Sequence, residues 1–220
     1  MRVAIAGGAG KIGRRLIVAL VEAGDEVRSL DRNPDHAESV RGAGAEPVVC
    51  DLERAGLPEI AAAIDGVDAV VFSVGAGPGS GPESKWTIDY AGAVKLIAAA
   101  LIAGVRRYVL VSSVGADPAA PGDDTFAVYV RAKGRADEEL QNSGLDYTIV
   151  RPSSLTDDPG RGLVDAAESV ERRKIPRDDV AGVLAATLKA DNTIGETFEV
   201  TSGETPIDEA IAGQRMPSSP

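Results

Sequence analysis

The segment "YVRAK" places Tyr129 and Lys133 four residues apart in a stretch patterned as a helix. On a helix this spacing puts both side chains on one face, one turn apart. An ammonium there can stabilise a phenolate and so make the tyrosine a usable proton donor or acceptor. Tyr129, Lys133, Ala136 and Leu140 fall on one stripe at i, i+4, i+7 and i+11. A lysine in such a stripe faces a polar pocket or snorkels to its edge. Upstream, "VLVSSVG" ends a strand-like run with Ser112 and Ser113, and a serine hydroxyl at that point is suited to hydrogen-bond a carbonyl beside the phenol. Taken alone, the tyrosine and lysine would read as an ordinary helix face.

A second constellation lies at the start of the chain. "AIAGGAGKIGRRL" sets Gly7, Gly10 and Gly13 between a short apolar run and a helical pattern that opens with Lys11 and Ile12. Side chains at this turn would hold the backbone away from a pyrophosphate, and the helix N-terminus supplies free N–H donors and a favourable dipole. The pattern therefore predicts a dinucleotide site, its alternative being a tight strand-to-helix turn without a ligand. Asp31, ending the second strand, suits the two ribose hydroxyls of NAD, whereas the adjacent Arg32 suits the 2′-phosphate of NADP. The two signals conflict, and the expected cofactor is NAD or NADP. Asp51 and Leu52 in "CDLE" end the third strand, where they would meet the adenine, although Asp51 reads equally well as a helix cap. Arg14 and Arg15 read as a solvated helix face, with Arg15 or Lys11 as possible partners of an NADP phosphate, and Asp157 and Asp158 as turn and cap residues.

These groups must be carried by an alternation of strands and helices. Short apolar runs at Val3 to Ala6, Glu26 to Leu30, Glu46 to Cys50, Asp68 to Val74, Arg106 to Ser113 and Leu145 to Arg151 alternate with longer helical patterns. Among the latter are an Ala-rich helix over Lys85 to Gly104 and the "YVRAK" helix from about Asp123 to Gly144. That rhythm predicts an α/β, Rossmann-type, doubly wound parallel sheet. After Arg151, "RPSSLTDDPGRG" reads as a polar loop, "PRDDVAGVLAATLKA" as a helix and "GETFEVTSG" as a last strand. The long loops "GAGPGSGPES" and "GADPAAPGDD" follow strand C-termini, where open α/β sheets bind ligands. The expected organisation is one domain over residues 1–212, with a small cap within about 152–212 and a disordered tail over 213–220.

Composition narrows the function. A net charge of −11 on 220 residues argues against sequence-independent binding to nucleic acid or an anionic membrane. With Cys50 and His36 as the only residues of their types, neither a disulfide nor a Cys/His metal cluster is expected, and a His-based triad is nearly excluded. No apolar run approaches the roughly 20 residues of a membrane span, so a cytoplasmic location is expected.

Across nearly its whole length the chain resembles the short-chain dehydrogenase/reductase superfamily, in its atypical, NmrA-like or NAD(P)H-binding branch. The resemblance rests on "GGAGKIG", "DRNP", "CDLE", "RRYVLVSSVGAD", "YVRAKGRADEEL" and above all "SGLDYTIVRPSSLTDDPG". It implies that Gly7, Gly10 and Gly13 cradle the pyrophosphate and that Ser113, Tyr129 and Lys133 are the catalytic set. It also implies that Ser73, Gly75 and Pro152 flank the nicotinamide. The superfamily's fourth catalytic position, usually asparagine, is Asp89 in "TIDYAG"; Asp89 also reads as a helix residue satisfied by backbone groups. The implied activity is NAD(P)-dependent oxidoreduction of a small carbonyl, quinone or flavin-like substrate by a monomer or homodimer. A sugar-nucleotide epimerase or dehydratase and a non-catalytic NAD(P) sensor are the alternatives.

Overall fold

The computed structural model of the chain describes residues 1–77 and 79–214. Strand β1 (Arg2–Ala6) is buried at every position after Arg2, as a strand covered on both faces must be. Its side chains alternate between two apolar layers: Val3 and Ile5 join one, Ala4 and Ala6 the other. The chain continues through α1 (Lys11–Glu22), β2 (Glu26–Asp31), α2 (Ala37–Gly42), β3 (Glu46–Val49), α3 (Leu57–Ala63) and β4 (Ala69–Phe72). A short helical turn α4 (Pro82–Ser84) runs through a π-helical turn, Lys85–Tyr90, into α5 (Ala91–Ala103). Then come β5 (Arg107–Val111), α6 (Thr125–Gln141), β6 (Asp146–Pro152), β7 (Ser154–Thr156), β8 (Leu163–Ala167) and β9 (Lys174–Pro176). Helix α7 (Arg177–Leu188), β10 (Glu196–Ser202), β11 (Thr205–Pro206) and α8 (Ile207–Ala212) complete the described chain.

The main sheet has the order β11-β8-β10-β6-β5-β4-β1-β2-β3, and every pair from β3 to β10 is parallel. This is the expected Rossmann-type, doubly wound sheet. Helices α1 and α7 contribute Leu16, Ile17, Leu20, Val183 and Leu184 to the layer on one face. On the other face α3, α5 and α6 supply Ile60, Leu96, Ile97, Ala136 and Leu140. The order reverses between β1 and β4, and at such a switch point the loops after the two strands splay apart and leave a crevice at the sheet's C-terminal edge.

Two expectations need correction. The expected helix and last strand after Arg151 form as α7 and β10, but the segment between Arg151 and α7 is not only a loop: β7 and β9 pair as a two-stranded sheet, and β8 joins the main sheet antiparallel to β10. These strands are short and largely half-exposed, so they carry little hydrophobic pattern. Pro82–Ala103 forms one helical run that passes for a membrane span by length and composition alone, but Glu83, Lys85, Asp89 and Lys95 interrupt it, so it holds no apolar run of that length. Of its apolar residues, Ala93, Leu96, Ala99 and Ala100 are fully enclosed against the sheet and α3. Finally, the tail expected over 213–220 begins in order. The Gln214 amide donates to the carbonyls of Ala166 (3.0 Å) and Ala210 (2.9 Å), and the rest of that tail lies outside the described residues.

Candidate functional site

The turn between β1 and α1 needs its glycines. Gly7 has φ +83°, and a Cβ there would lie 2.9 Å from the Ser73 carbonyl oxygen. A Cβ on Gly13 would fall 2.3 Å from the Gly7 oxygen, so the first turn of α1 packs directly on the loop. Gly10 is the N-cap and provides no side-chain cap, and the first turn holds no acidic residue. The leading N–H groups of α1 are thus left for an external acceptor, and the helix dipole makes an anion the favoured one. A pyrophosphate fits that cradle.

Gly10, Lys11 and Ile12 form one end of a cavity of about 720 Å³ that also exposes Ser73, Gly75, Asp89, Ser113, Tyr129, Lys133 and Pro152. Ten of the predicted site residues therefore share a single cavity. Gly7 and Gly13 do not line it but pack against one another in the loop beside Gly10. Asp31, Arg32, Asp51 and Leu52 do not line it. One carboxylate oxygen of Asp31 accepts the Ala9 N–H at 3.0 Å and the other accepts the Ser29 hydroxyl, so Asp31 anchors the glycine loop. The Arg32 guanidinium donates to Glu53 at 3.2 Å. Asp51 caps its own turn through the Glu53 N–H at 3.0 Å, and Leu52 is buried in the apolar layer with Phe72 and Leu96. An apolar side chain at a strand end can face the core or the ligand, and here the core claims it. Cys50 is likewise core, its thiol pushed up to about 11 by burial, with Glu59 and Asp51 adding to the effect.

Helix α6 is set by the Asp124 N-cap, whose carboxylate accepts the N–H groups of Phe126 (2.9 Å) and Ala127 (3.1 Å). It presents Tyr129, half-buried, and Lys133, 4% exposed, to the cavity. The Lys133 ammonium lies 3.2 Å from Asp89 Oδ1 and donates to the Val111 carbonyl at 3.2 Å. Burial by itself would push this ammonium's pKa down. The Asp89 carboxylate, Tyr129 and Asp137 outweigh burial and hold it above the usual lysine value. The other oxygen of Asp89 accepts the Ala76 N–H at 3.2 Å, so one fully buried carboxylate joins α6 to the loop after β4.

The two serines after β5 divide their roles. Ser112 donates to Asp137 at 2.9 Å, and Arg151 donates to the same carboxylate oxygen through Nε at 2.9 Å. Burial pushes the Asp137 carboxyl above its ordinary range, against the pull of Arg151 and Ser112. Ser113 makes only a 3.3 Å contact to the Val114 carbonyl, which leaves its hydroxyl available to the cavity.

Several residues escaped the sequence reading. Lys85, Phe126, Leu155, Arg172 and Arg177 all line the cavity. Asp157, expected as a turn residue, instead accepts Lys11 at 2.5 Å and Arg177 at 2.8 Å, tying the loop after β7 to the start of α1. Lys11 beside it, with Arg177, holds the Asp157 carboxyl below its usual range. Arg15 pairs with Asp178 and is not a free phosphate ligand. Trp86 stacks edge-on against Tyr90, with ring centres 5.6 Å apart, and does not line the cavity. A lysine beginning an apolar helix directly after a Gly/Pro loop was the one available signal for Lys85; the others depend on loop conformation.

A family model described as NAD(P)H-binding matches residues 7–191. The chain is 41% identical over 213 residues to the Bacillus subtilis (strain 168) protein named uncharacterized sugar epimerase YhfK, covering 96% of this chain and 99% of the other. A Bacillus halodurans structure that carries the provisional name NAD-dependent epimerase/dehydratase superposes with a TM-score of 0.89 at 40% identity, covering 96% of this chain and 98% of that one. The oxidoreductase ylbE from Lactococcus lactis superposes with a TM-score of 0.83 at 29% identity over 96% and 95% of the two chains.

Proposed function

Because this chain belongs to the NAD(P)H-binding family, within the atypical short-chain dehydrogenase/reductases, we propose that it is an NAD(P)-dependent reductase of a small carbonyl, quinone or flavin-like acceptor. The observation that carries this reading is the convergence of Ser113, Tyr129 and Lys133 with the uncapped start of α1 on one cavity.

The residues divide the work between binding and proton transfer. The N–H groups of Lys11, Ile12 and Gly13 take the pyrophosphate, with Ser73, Gly75 and Pro152 along the nicotinamide side. A reduced nicotinamide bound there would supply the hydride, becoming oxidised as the acceptor is reduced. For a carbonyl acceptor, the carbon gains the hydride and the oxygen gains the Tyr129 hydroxyl proton, giving an alcohol. Ser113 donates a hydrogen bond to that oxygen as negative charge builds on it. Lys133 favours the phenolate left on Tyr129, and its pairing with Asp89 keeps it charged and fixed in place.

Replacement of Tyr129 by Phe removes the proton donor and leaves the cradle intact. NAD(P)H oxidation should fall by about 10²- to 10⁴-fold, the usual contribution of a general acid, with the dinucleotide dissociation constant unchanged. Undiminished turnover would remove Tyr129 from the mechanism, and failure of the wild type to bind either dinucleotide would overturn the whole reading.

The name of the Bacillus subtilis relative favours a second reading, epimerisation of a sugar nucleotide. It would use the same tyrosine with transient oxidation and no net consumption of cofactor. The short pair β7 and β9 offers little protein with which to enclose a nucleotide sugar. Interconversion of a nucleotide sugar without change in nicotinamide absorbance would establish the epimerase and displace the reductase.

A further inference from the structure

The cavity is richer in cations than its carboxylates can neutralise. Lys11, Lys85, Lys133, Arg172 and Arg177 line it. Lys11 and Arg177 share Asp157, and Lys133 pairs with Asp89. Among the described residues, no carboxylate lies within ion-pairing distance of Lys85 or Arg172. Arg172 sits exposed at the mouth over Gly115. Lys85 is only 7% exposed, and its ammonium has one acceptor, the Gly77 carbonyl at 2.9 Å. The ammonium lies 5.4 Å from the centre of the Tyr129 ring. A buried charge without a counterion is costly, and the cost is relieved when a ligand brings the opposite charge.

The place of Lys85 identifies which ligand. Dinucleotide phosphates belong at Gly10 to Ile12, whereas Lys85 stands over Tyr129, where an acceptor must sit to take the proton. Around it the walls are apolar: Val74, Val114 and Leu155 line the cavity, and Phe126 is 69% exposed at its edge. We propose that the acceptor is an acid, an apolar or aromatic body bearing an anionic group that Lys85 holds, with Arg172 closing on it at the mouth. This rests on the reading of Tyr129 as the proton donor.

The test uses the full chain saturated with whichever dinucleotide binds. Calorimetric titration compares benzoate and phenylphosphonate with neutral benzamide. Either anion should bind about tenfold or more tightly than the amide, the scale of a charge-assisted hydrogen bond in a shielded site. Lys85→Met should abolish that preference, Lys85→Arg should keep it, and dinucleotide affinity should be the same in all three proteins. Equal affinity for anion and amide, no binding of any of the three, or a preference that survives Lys85→Met would overturn the proposal. If Lys85→Met does not fold, the comparison in the wild type and in Arg172→Met still decides it, the latter losing part of the preference. Loss of dinucleotide binding would instead count against the reductase itself.

Discussion

Lys133 and Asp89 are each almost wholly buried and face one another, so removal of either leaves an uncompensated charge in the interior. Lys133→Met should destabilise the protein by about 3–5 kcal/mol, and adding Asp89→Asn should recover much of the loss, as measured by urea unfolding. Because the folded pKa of Lys133 lies above its unfolded value, its contribution is complete below about pH 10.4 and is lost as pH rises through the folded value. The stability difference between wild type and Lys133→Met should therefore shrink as pH rises through the folded lysine value. Asp31 carries a separate prediction. Its negative charge beside Arg32 opposes a 2′-phosphate, while its hydrogen bond to Ala9 holds the loop. Asp31→Asn can keep that bond and removes the charge, so the NADP-to-NAD affinity ratio should rise by about tenfold or more. An unchanged ratio in a dinucleotide titration would reduce Asp31 to a loop anchor. At this scale, Tyr129, Lys133 and Ser113 were legible because a helix repeat or a strand end fixes each position, whereas Asp89, in a π-helical turn, was indicated by the family resemblance alone. Lys85 and Arg172 were not, because their ion pairing depends on chain segments distant in sequence.

Helix α6 approaches the loop after β5 more closely than an ordinary side chain would permit. A Cβ on Gly134 would lie 2.3 Å from both the Asp117 carbonyl carbon and the Pro118 nitrogen, and backbone atoms cannot rotate away. Gly134→Ala must separate the element bearing Tyr129 and Lys133 from the segment that follows Ser113. Overpacking of this kind costs about 1–3 kcal/mol. We expect lower thermal stability and a fall in kcat/KM, with dinucleotide affinity preserved because the glycine loop is untouched. Gly13→Ala should do the reverse at the other end of the cavity: its Cβ would strike the Gly7 oxygen, and dinucleotide affinity should fall first. The boundaries of α6 were readable, since "DDT" supplies the Asp124 cap and Gly144 the stop. The π-helical turn over Lys85–Tyr90 was not, although it turns both Lys85 and Asp89 inward. An extra residue in one helical turn leaves no hydrophobic signature in a segment as short and mixed as "KWTIDY".

Across the whole molecule, the parallel sheet was legible because most of its strands are short, nearly continuous apolar runs, whereas the C-terminal third was obscured by strands such as "LVDAA", interrupted by Asp165, and "KIP", too short to show a period. That third is not an appendage. Strand β10 inserts between β6 and β8, and its Phe198 and Val200 share an apolar layer with Val3, Ile5 and Leu16 from the first strand and helix. Helix α7 lies in the same layer, so the start of the chain and residues 174–202 bury one another. Unfolding either part exposes the other, and the chain should melt in one transition with equal calorimetric and van't Hoff enthalpies. A dinucleotide bound at the switch point contacts only the folded state. At one hundred times its dissociation constant it adds about 2.7 kcal/mol, which for a domain of this size raises the midpoint by roughly 5–11 °C. The shift should vanish in a Gly10→Asp variant, whose carboxylate would oppose the phosphates at the start of α1. Two resolved transitions in scanning calorimetry would show that the C-terminal third folds separately, and a single transition that the preferred dinucleotide fails to move would show that it does not bind the folded state in preference to the unfolded.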